Sequence, residues 1–149
     1  MNLTRADDLR FGTDAEKVVV EHLNRGFGKT FTHLGQHSIF DFADEPKTIF
    51  VELKTRRVSS RQYPTTLVGL NKVNYAKENP DRTYYFVFNF TDGIFYIQYN
   101  PEVFAKYEVD YSFYRSRRAD CGNPKQQLVH IWTEDLLLLP TGTNIACLG

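Results

Sequence analysis

Ile49-Phe-Val-Glu-Leu-Lys-Thr-Arg-Arg57 is the stretch that decides the fold, together with Ser38-Ile-Phe-Asp-Phe42 just before it. Residues i and i+2 of a strand point to the same face, so Glu52 and Lys54 share a face. A carboxylate beside an ammonium on an otherwise apolar strand is costly to bury without a partner. If the two segments pair as neighbouring strands, Asp41 joins Glu52 and Lys54 at one point. Two carboxylates and a lysine are the minimal set for holding a divalent metal against a phosphodiester.

Composition indicates one domain of 149 residues, spanning 1–149, with 42% hydrophobic residues and enough apolar material for a real core. Basic and acidic residues number 18 each, so any surface that attracts nucleic acid must be local. Cys121 and Cys147 form no metal-binding or disulfide pattern, which fits a reducing compartment. The N-terminal residues lack an apolar run, and Leu136 to Leu139 is the longest aliphatic run. We therefore expect a soluble intracellular protein with no signal peptide, no transmembrane segment and no membrane partner.

Periodicity and turn residues predict helices alternating with strands, separated by a polar, basic loop from Arg56 to Thr66. The first helix should bury Phe11, Ala15, Val18, Val19, His22 and Leu23, and it should end at Gly26. The expected elements are a helix over 11–25, strands over 29–36, 38–43 and 48–55, a helix over 67–77, strands over 83–90 and 94–99, a short helix or turn over 101–107, a strand over 127–132, a helical turn over 133–139 and a loose tail.

This order of elements resembles the PD-(D/E)XK nuclease superfamily, whose αβββαβ core carries an acid on the second strand and an ExK motif on the third. Asp41 matches the first acid, and Glu52-Leu53-Lys54 matches ExK, whereas Phe40 stands where the family has a proline. The resemblance covers residues 12–99 and leaves 100–149 as a C-terminal extension. It implies an α/β (mixed α+β) fold with a mixed sheet and a restriction-endonuclease-like core.

The resemblance also implies a metal-dependent endonuclease that hydrolyses phosphodiester bonds in DNA. Asp41 and Glu52 supply the hard oxygen ligands that Mg²⁺ or Mn²⁺ prefers. A bound metal lowers the pKa of its water and neutralises developing charge. Lys54 would orient or deprotonate that water, or pair with the scissile phosphate.

Three further residues enter through the resemblance. Glu16 falls where some relatives place a helical glutamate that helps to hold metal, although a glutamate in a first turn also stabilises the helix dipole. The backbone carbonyl of Leu53 would be an additional metal ligand. Lys72 falls on the helix after ExK, where relatives carry a further polar residue of the active site that also contacts nucleic acid.

Basic residues suggest where nucleic acid would bind. Arg56, Arg57 and Arg61 follow the ExK strand and could grip backbone phosphates, or they could belong to an ordinary solvated loop. Arg115, Arg117 and Arg118, with nearby tyrosines, could form a second contact, although such aromatics more often pack on a core.

Two alternatives stay open from the sequence. An isolated ExK is often only a surface salt bridge, and the fold could serve a non-catalytic module that binds nucleic acid or a protein partner. DNA is the expected substrate, with RNA not excluded. A homodimer is possible, with residues 94–99 and 107–114 as candidate interface segments that core packing would explain equally well.

Overall fold

The computed structural model describes residues 17–35, 37–111 and 126–140, which form a mixed α/β fold. Every helix among these residues is too short or too polar to cross a bilayer. The elements are α1 (residues 17–27), β1 (Phe31–His33), β2 (Phe42–Asp44), β3 (Ile49–Thr55), β4 (Thr65–Gly69), α2 (Leu70–Glu78), β5 (Thr83–Phe90), β6 (Gly93–Gln98), α3 (Pro101–Phe104), β7 (Val109–Tyr111), β8 (Gln127–Trp132), a 3₁₀ turn (Thr133–Asp135) and β9 (Leu137–Leu138).

Six strands form one mixed sheet in the order β1-β2-β3-β5-β6-β9. Among the described strands, β3 and β5 are the one parallel pair, and the crossover between them passes through β4 and α2, as a parallel pair requires. The predicted mixed α/β fold with a mixed sheet is therefore confirmed. The predicted central strand over 83–90 is also confirmed, because β5 lies inside the sheet and is largely buried.

The large sheet separates two apolar clusters. On one face, Val19 and Leu23 of α1 pack with Val51 and Val87. The other face carries alternate residues of the same strands, such as Phe50. That face packs against α2 and against a smaller antiparallel sheet in the order β4-β8-β7. Both faces of β3 are therefore covered around Glu52, which leaves this carboxylate in a largely water-free setting.

The predicted helix over 67–77 begins too early, because Thr65–Gly69 forms strand β4. Val68 and Thr66 of this strand are buried, and it pairs with β8 from Thr65↔Trp132 to Gly69↔Leu128. The apolar spacing that predicted a helix over these residues serves strand packing instead. The predicted loop correspondingly ends at residue 64.

Other predicted boundaries also differ. The helix α1 continues through Gly26 to residue 27, and Gly28 adopts the positive φ of 65° that suits a helix end. Val18, predicted for the core, is exposed. The predicted helical turn over 133–139 contains a single 3₁₀ turn followed by β9, which pairs with β6. The second predicted strand is shorter than expected, because β2 begins only at Phe42.

Candidate active site

Strand β3 positions the ExK residues at the centre of the molecule. It pairs with β2 on one side and with β5 on the other, where Glu52 lies opposite Phe86. The alternation along β3 places Glu52 and Lys54 on the face that carries Phe50 and α2. Only 2% of the Glu52 side chain is exposed, whereas that of Lys54, further along the strand, is 38% exposed. The two side chains thus extend from the interior towards solvent.

Asp41 lies just before β2 and is tied to β3 by both its backbone and its side chain. Its N–H donates to the Val51 carbonyl at 3.0 Å, and its carboxylate Oδ2 accepts from the Leu53 N–H at 2.8 Å. Its own carbonyl accepts from the Leu34 N–H at 2.9 Å. The bend at this position therefore holds the carboxylate against the strand that carries Glu52.

Two lysines flank one oxygen of the buried glutamate. Lys54 Nζ lies 3.3 Å from Glu52 Oε2, and Lys72 Nζ of α2 lies 3.8 Å from the same oxygen. Lys72 also donates a hydrogen bond to the carbonyl of Ile39, next to the Asp41 bend. Lys72 thus connects α2 to both acidic segments of the site.

The other oxygen of Glu52, Oε1, is buried. Within the part of the chain that the structure describes, Oε1 has no hydrogen-bond partner. Burial raises the pKa of Glu52 from 4.5 to about 7, and the negative charge of Asp41 adds to this rise. Lys54 and Lys72 act in the opposite direction but do not cancel it. The free oxygen and the raised pKa both show a carboxylate that gains from binding a cation or a proton.

This pair of carboxylates fits a divalent metal. No group of three or more His, Cys, Asp or Glu side chains suited to a metal occurs within residues 17–35, 37–111 and 126–140. Asp41 and Glu52 would therefore hold the ion as two hard oxygen donors, with water and phosphate oxygens completing the shell, as is usual for Mg²⁺. The unpartnered Oε1 of Glu52 is the observation that supports this fit.

The structure brings together four of the residues singled out from the sequence: Asp41, Glu52, Lys54 and Lys72. Leu53 lies beside them through its N–H, while its side chain packs on the opposite face of the sheet. Glu16 and the second basic cluster, Arg115, Arg117 and Arg118, lie outside the described residues.

The three arginines after β3 do not behave alike. Arg56 is half-buried and its Nη2 donates to the carbonyl of Leu67 at 2.7 Å, so it joins the end of β3 to β4. Arg57 and Arg61 are exposed. The segment is also fixed to the large sheet, because the Thr91 N–H donates to the carbonyl of Val58 at 3.0 Å. Hydrogen bonds therefore fix this segment, residues 56–64, to the rest of the fold, and we call it the wall.

The sequence interpretation missed two side chains of a cleft that this segment borders. Tyr63 and His130 line a cleft of about 560 Å³ together with Arg56 and Arg57. The one available signal was Tyr63, the single aromatic residue in a polar, basic segment. His130 carried no such signal, because its place in the cleft depends on the pairing of β8 with β4.

The fold and this constellation of residues define the PD-(D/E)XK nuclease class. The model of the family described as "Phage putative PDDEXK endonuclease" matches residues 11–135, and the chain belongs to this family. The match confirms the resemblance to the PD-(D/E)XK superfamily. A comparison with curated proteins finds no match.

Proposed function

We propose that this protein is a metal-dependent endonuclease that hydrolyses phosphodiester bonds in DNA. The observation that carries the proposal is the buried Glu52 carboxylate, with one oxygen unpartnered and the other within 3.3 Å of Lys54. A buried acid that lacks hydrogen bonds destabilises the folded protein unless a bound ligand stabilises it. Such unfavourable groups are typical of active sites. Membership of the endonuclease family supports the same function.

The proposed roles rest on the positions of the described residues and, for the Leu53 carbonyl and Glu16, on the resemblance to the superfamily. Asp41 and Glu52 would hold one divalent ion, Mg²⁺ or Mn²⁺, between them, with the Leu53 carbonyl and Glu16 as the further ligands that the superfamily implies. The ion would supply an activated water and neutralise charge on the phosphate. Because Lys54 is partly exposed next to Glu52, it can reach a phosphate oxygen or orient the attacking water. Lys72 would hold the Ile39 carbonyl and offset charge at Glu52.

The first test is cleavage by the purified chain of single-stranded, duplex and branched DNA, and of RNA, with Mg²⁺ or Mn²⁺. We expect cleavage of DNA with either ion, loss of cleavage with EDTA, and no cleavage with Ca²⁺, whose coordination is looser. Full activity in EDTA would contradict the proposed mechanism. A folded chain that binds nucleic acid but cuts none of these substrates would indicate the non-catalytic module instead.

The second test assigns the residues. Asp41→Ala, Glu52→Ala and Lys54→Ala should each lower the cleavage rate at least about a hundredfold, the scale on which positioned catalytic groups act. Exposed Lys77 of the same helix as Lys72 provides a control, because Lys77→Ala should cut at the rate of the unaltered chain. Circular dichroism shows whether each variant remains folded. Cleavage by any one of the three variants at the unaltered rate would remove that residue from the mechanism.

A further inference from the structure

A cleft of about 560 Å³ lies between residues 56–64 and strands β4 and β8. Its volume falls within the range of about 300–1,000 Å³ that is usual for small-ligand sites. It combines an aromatic ring, a guanidinium, hydroxyl groups and an imidazole. The side chains that matter for the argument are Arg57, Tyr63, Thr65, His130 and Thr133.

The wall of this cleft is held in place by hydrogen bonds to distant parts of the chain. The Ser60 N–H and hydroxyl both donate to the Asp92 carboxylate, at 2.8 and 2.7 Å. Further along the segment, the Thr133 N–H donates to the carbonyl of Pro64 at 2.9 Å. A ligand would therefore meet a preformed surface and would not have to order it, which lowers the entropic cost of binding.

The exposed ring of Tyr63 is the feature that indicates the ligand. Tyr63 is 57% exposed, while its backbone carbonyl accepts from the Thr133 hydroxyl at 3.2 Å. An aromatic ring held at an open cleft offers a platform for a flat, aromatic partner, and every nucleobase has such a face. Because Arg57 and Arg61 are exposed on the same segment, they can pair with the backbone phosphates on either side of that base.

The cleft also contains a polar group that can hydrogen-bond to the edge of a base. Thr65 and His130 both line it, and Thr65 Oγ1 lies 3.4 Å from His130 Nδ1. The other ring nitrogen of His130, Nε2, lies 2.8 Å from Asp110 Oδ1 on strand β7, which orients the imidazole. Because one ring nitrogen of His130 faces Thr65 and the other is buried against Asp110, the Thr65 hydroxyl is the group of this pair that can hydrogen-bond to a base edge.

The cleft is also close to the catalytic residues along the chain. Arg56, at its rim, is two residues beyond Lys54, a separation of about 7 Å in extended backbone. A base inside an intact duplex could enter only after unstacking, whereas an unpaired base can enter directly. The position and the lining together favour a nucleotide that is already unpaired.

We propose that this cleft binds one unpaired nucleobase of the substrate strand, stacked on Tyr63, beside the phosphate to be cut. The inference rests on the proposed nuclease function and names its substrate class, which is DNA with an unpaired nucleotide next to the cleavage site. Arg57 and Arg61 would hold the flanking phosphates.

The test is a binding scan with single-stranded oligonucleotides that each lack one base, measured by fluorescence anisotropy in EDTA so that no cleavage occurs. The unaltered chain should lose about five- to a hundredfold in affinity when the base at one particular position is missing. Tyr63→Ala should lose a similar factor with the intact oligonucleotide and no longer distinguish that position, whereas Tyr63→Phe should still distinguish it.

Two controls make the scan specific. Trp132 is another exposed aromatic residue that does not line the cleft, so Trp132→Ala should keep the sensitive position. The unaltered chain should also bind the same sequence more weakly as a full duplex than as a single strand. In Tyr63→Ala, the ratio of these two affinities should be smaller.

The scan separates this inference from the nuclease proposal. The base site is overturned if no position is sensitive in the unaltered chain, or if Tyr63→Ala keeps the sensitivity of that chain. Failure of the nuclease proposal appears instead as an absence of cleavage with Mg²⁺ and Mn²⁺. A sensitive position that depends on Tyr63, found without cleavage by either ion, would support the base site and contradict the nuclease.

Discussion

Glu52 is an ionisable residue in a buried position, where the ionised form has an unfavourable free energy. It is almost fully buried, and burial raises its pKa to about 7, so the metal-free protein can hold a proton there near neutral pH. A divalent ion would compete with that proton for the same carboxylate, because metals bind the deprotonated form. Metal affinity at this site should therefore increase as the pH rises through 7.

The buried glutamate should also make the free energy of unfolding of the metal-free protein depend on pH. Its pKa rises on folding from 4.5 to about 7, so the folded state binds the proton more tightly than the unfolded state does. The resulting stabilisation is fully present below about pH 4.5 and is lost as the pH rises through about 7. The shift corresponds to at most about 3 kcal/mol.

The measurement compares urea unfolding of the unaltered chain and of Glu52→Gln between pH 4.5 and 8 without metal. We expect the unaltered chain to lose stability relative to Glu52→Gln over this range, because glutamine resembles the protonated acid and cannot ionise. Glu78→Gln removes an exposed carboxylate and serves as the control. Parallel pH profiles for the unaltered chain and Glu52→Gln would contradict the buried, unpaired state of Glu52.

The sequence was sufficient to predict only some of the contacts between residues of the candidate active site. Alternation along one strand and an acid in the next segment were sufficient to predict that Asp41, Glu52 and Lys54 meet. The hydrogen bond from Lys72 to the Ile39 carbonyl could not be foreseen, because it depends on the angle at which α2 crosses the sheet. The same is true of the unpartnered Oε1 of Glu52, which is a property of the whole packed surroundings.

Among the elements, the wall formed by residues 56–64 carries one arginine that is bonded to the fold and two that are exposed. Arg56 donates to the Leu67 carbonyl, so Arg56→Ala should lower the free energy of unfolding by roughly 1–3 kcal/mol, because the carbonyl loses a charged donor. Arg57 and Arg61 are exposed, and their removal should act on DNA affinity instead. Urea unfolding of Arg56→Ala and of the Arg57→Ala/Arg61→Ala variant checks this division.

The same double variant tests the proposed binding of phosphates by Arg57 and Arg61. For every phosphate that the variant no longer binds, the dependence of log affinity on log salt should flatten by about 0.9 for duplex DNA and about 0.7 for a single strand. Lys54→Ala should change the salt slope less and the cleavage rate more, because its proposed role is catalytic. Affinities measured over a salt series give the slopes. If Arg57→Ala/Arg61→Ala keeps the slope of the unaltered chain, this wall does not contact the nucleic-acid backbone.

Strand β4 shows where sequence reasoning about elements reaches its limit. Leu67, Leu70 and Val73 have helical spacing, yet the first of them belongs to a strand. The decisive contact is the pairing of Thr65–Gly69 with Gln127–Trp132, which lies far along the chain and satisfies the backbone groups of both segments. Strand β5 was predictable because its own residues, nearly all apolar, require burial on both faces.

For the molecule as a whole, metal binding and folding should be linked through the central sheet. Of the two carboxylates of the proposed metal site, one belongs to β3 and the other accepts a hydrogen bond from it. Strand β3 is paired on both sides and covered on both faces. A ligand that binds only the folded chain stabilises it by RT ln(1 + [L]/Kd), about 2.7 kcal/mol at a hundred times Kd. For a protein of this size the melting temperature should rise by about 5–10 °C.

The rise can be measured by thermal unfolding with and without saturating Mg²⁺ or Mn²⁺. Glu52→Gln should show little or no shift, since it lacks one of the two charged ligands, whereas Glu78→Gln should shift as the unaltered chain does. A full shift in Glu52→Gln would place the stabilising ion elsewhere in the molecule.

Gly26 and Leu139 are far apart in the sequence but touch in the fold: a Cβ atom at Gly26 would come within 2.5 Å of the Leu139 side chain. Leu139 belongs to the cluster that contains Val19 and Leu23, on the face of the large sheet away from Glu52. Helix α1 and the residue that follows β9 therefore meet on the face of the large sheet opposite Glu52. Linking these two segments and opening the chain at the exposed turn at Pro80–Asp81 would change the order of the elements without separating α1 from Leu139. A circular permutant cut there would keep β3 and residues 56–64 on one continuous piece of chain.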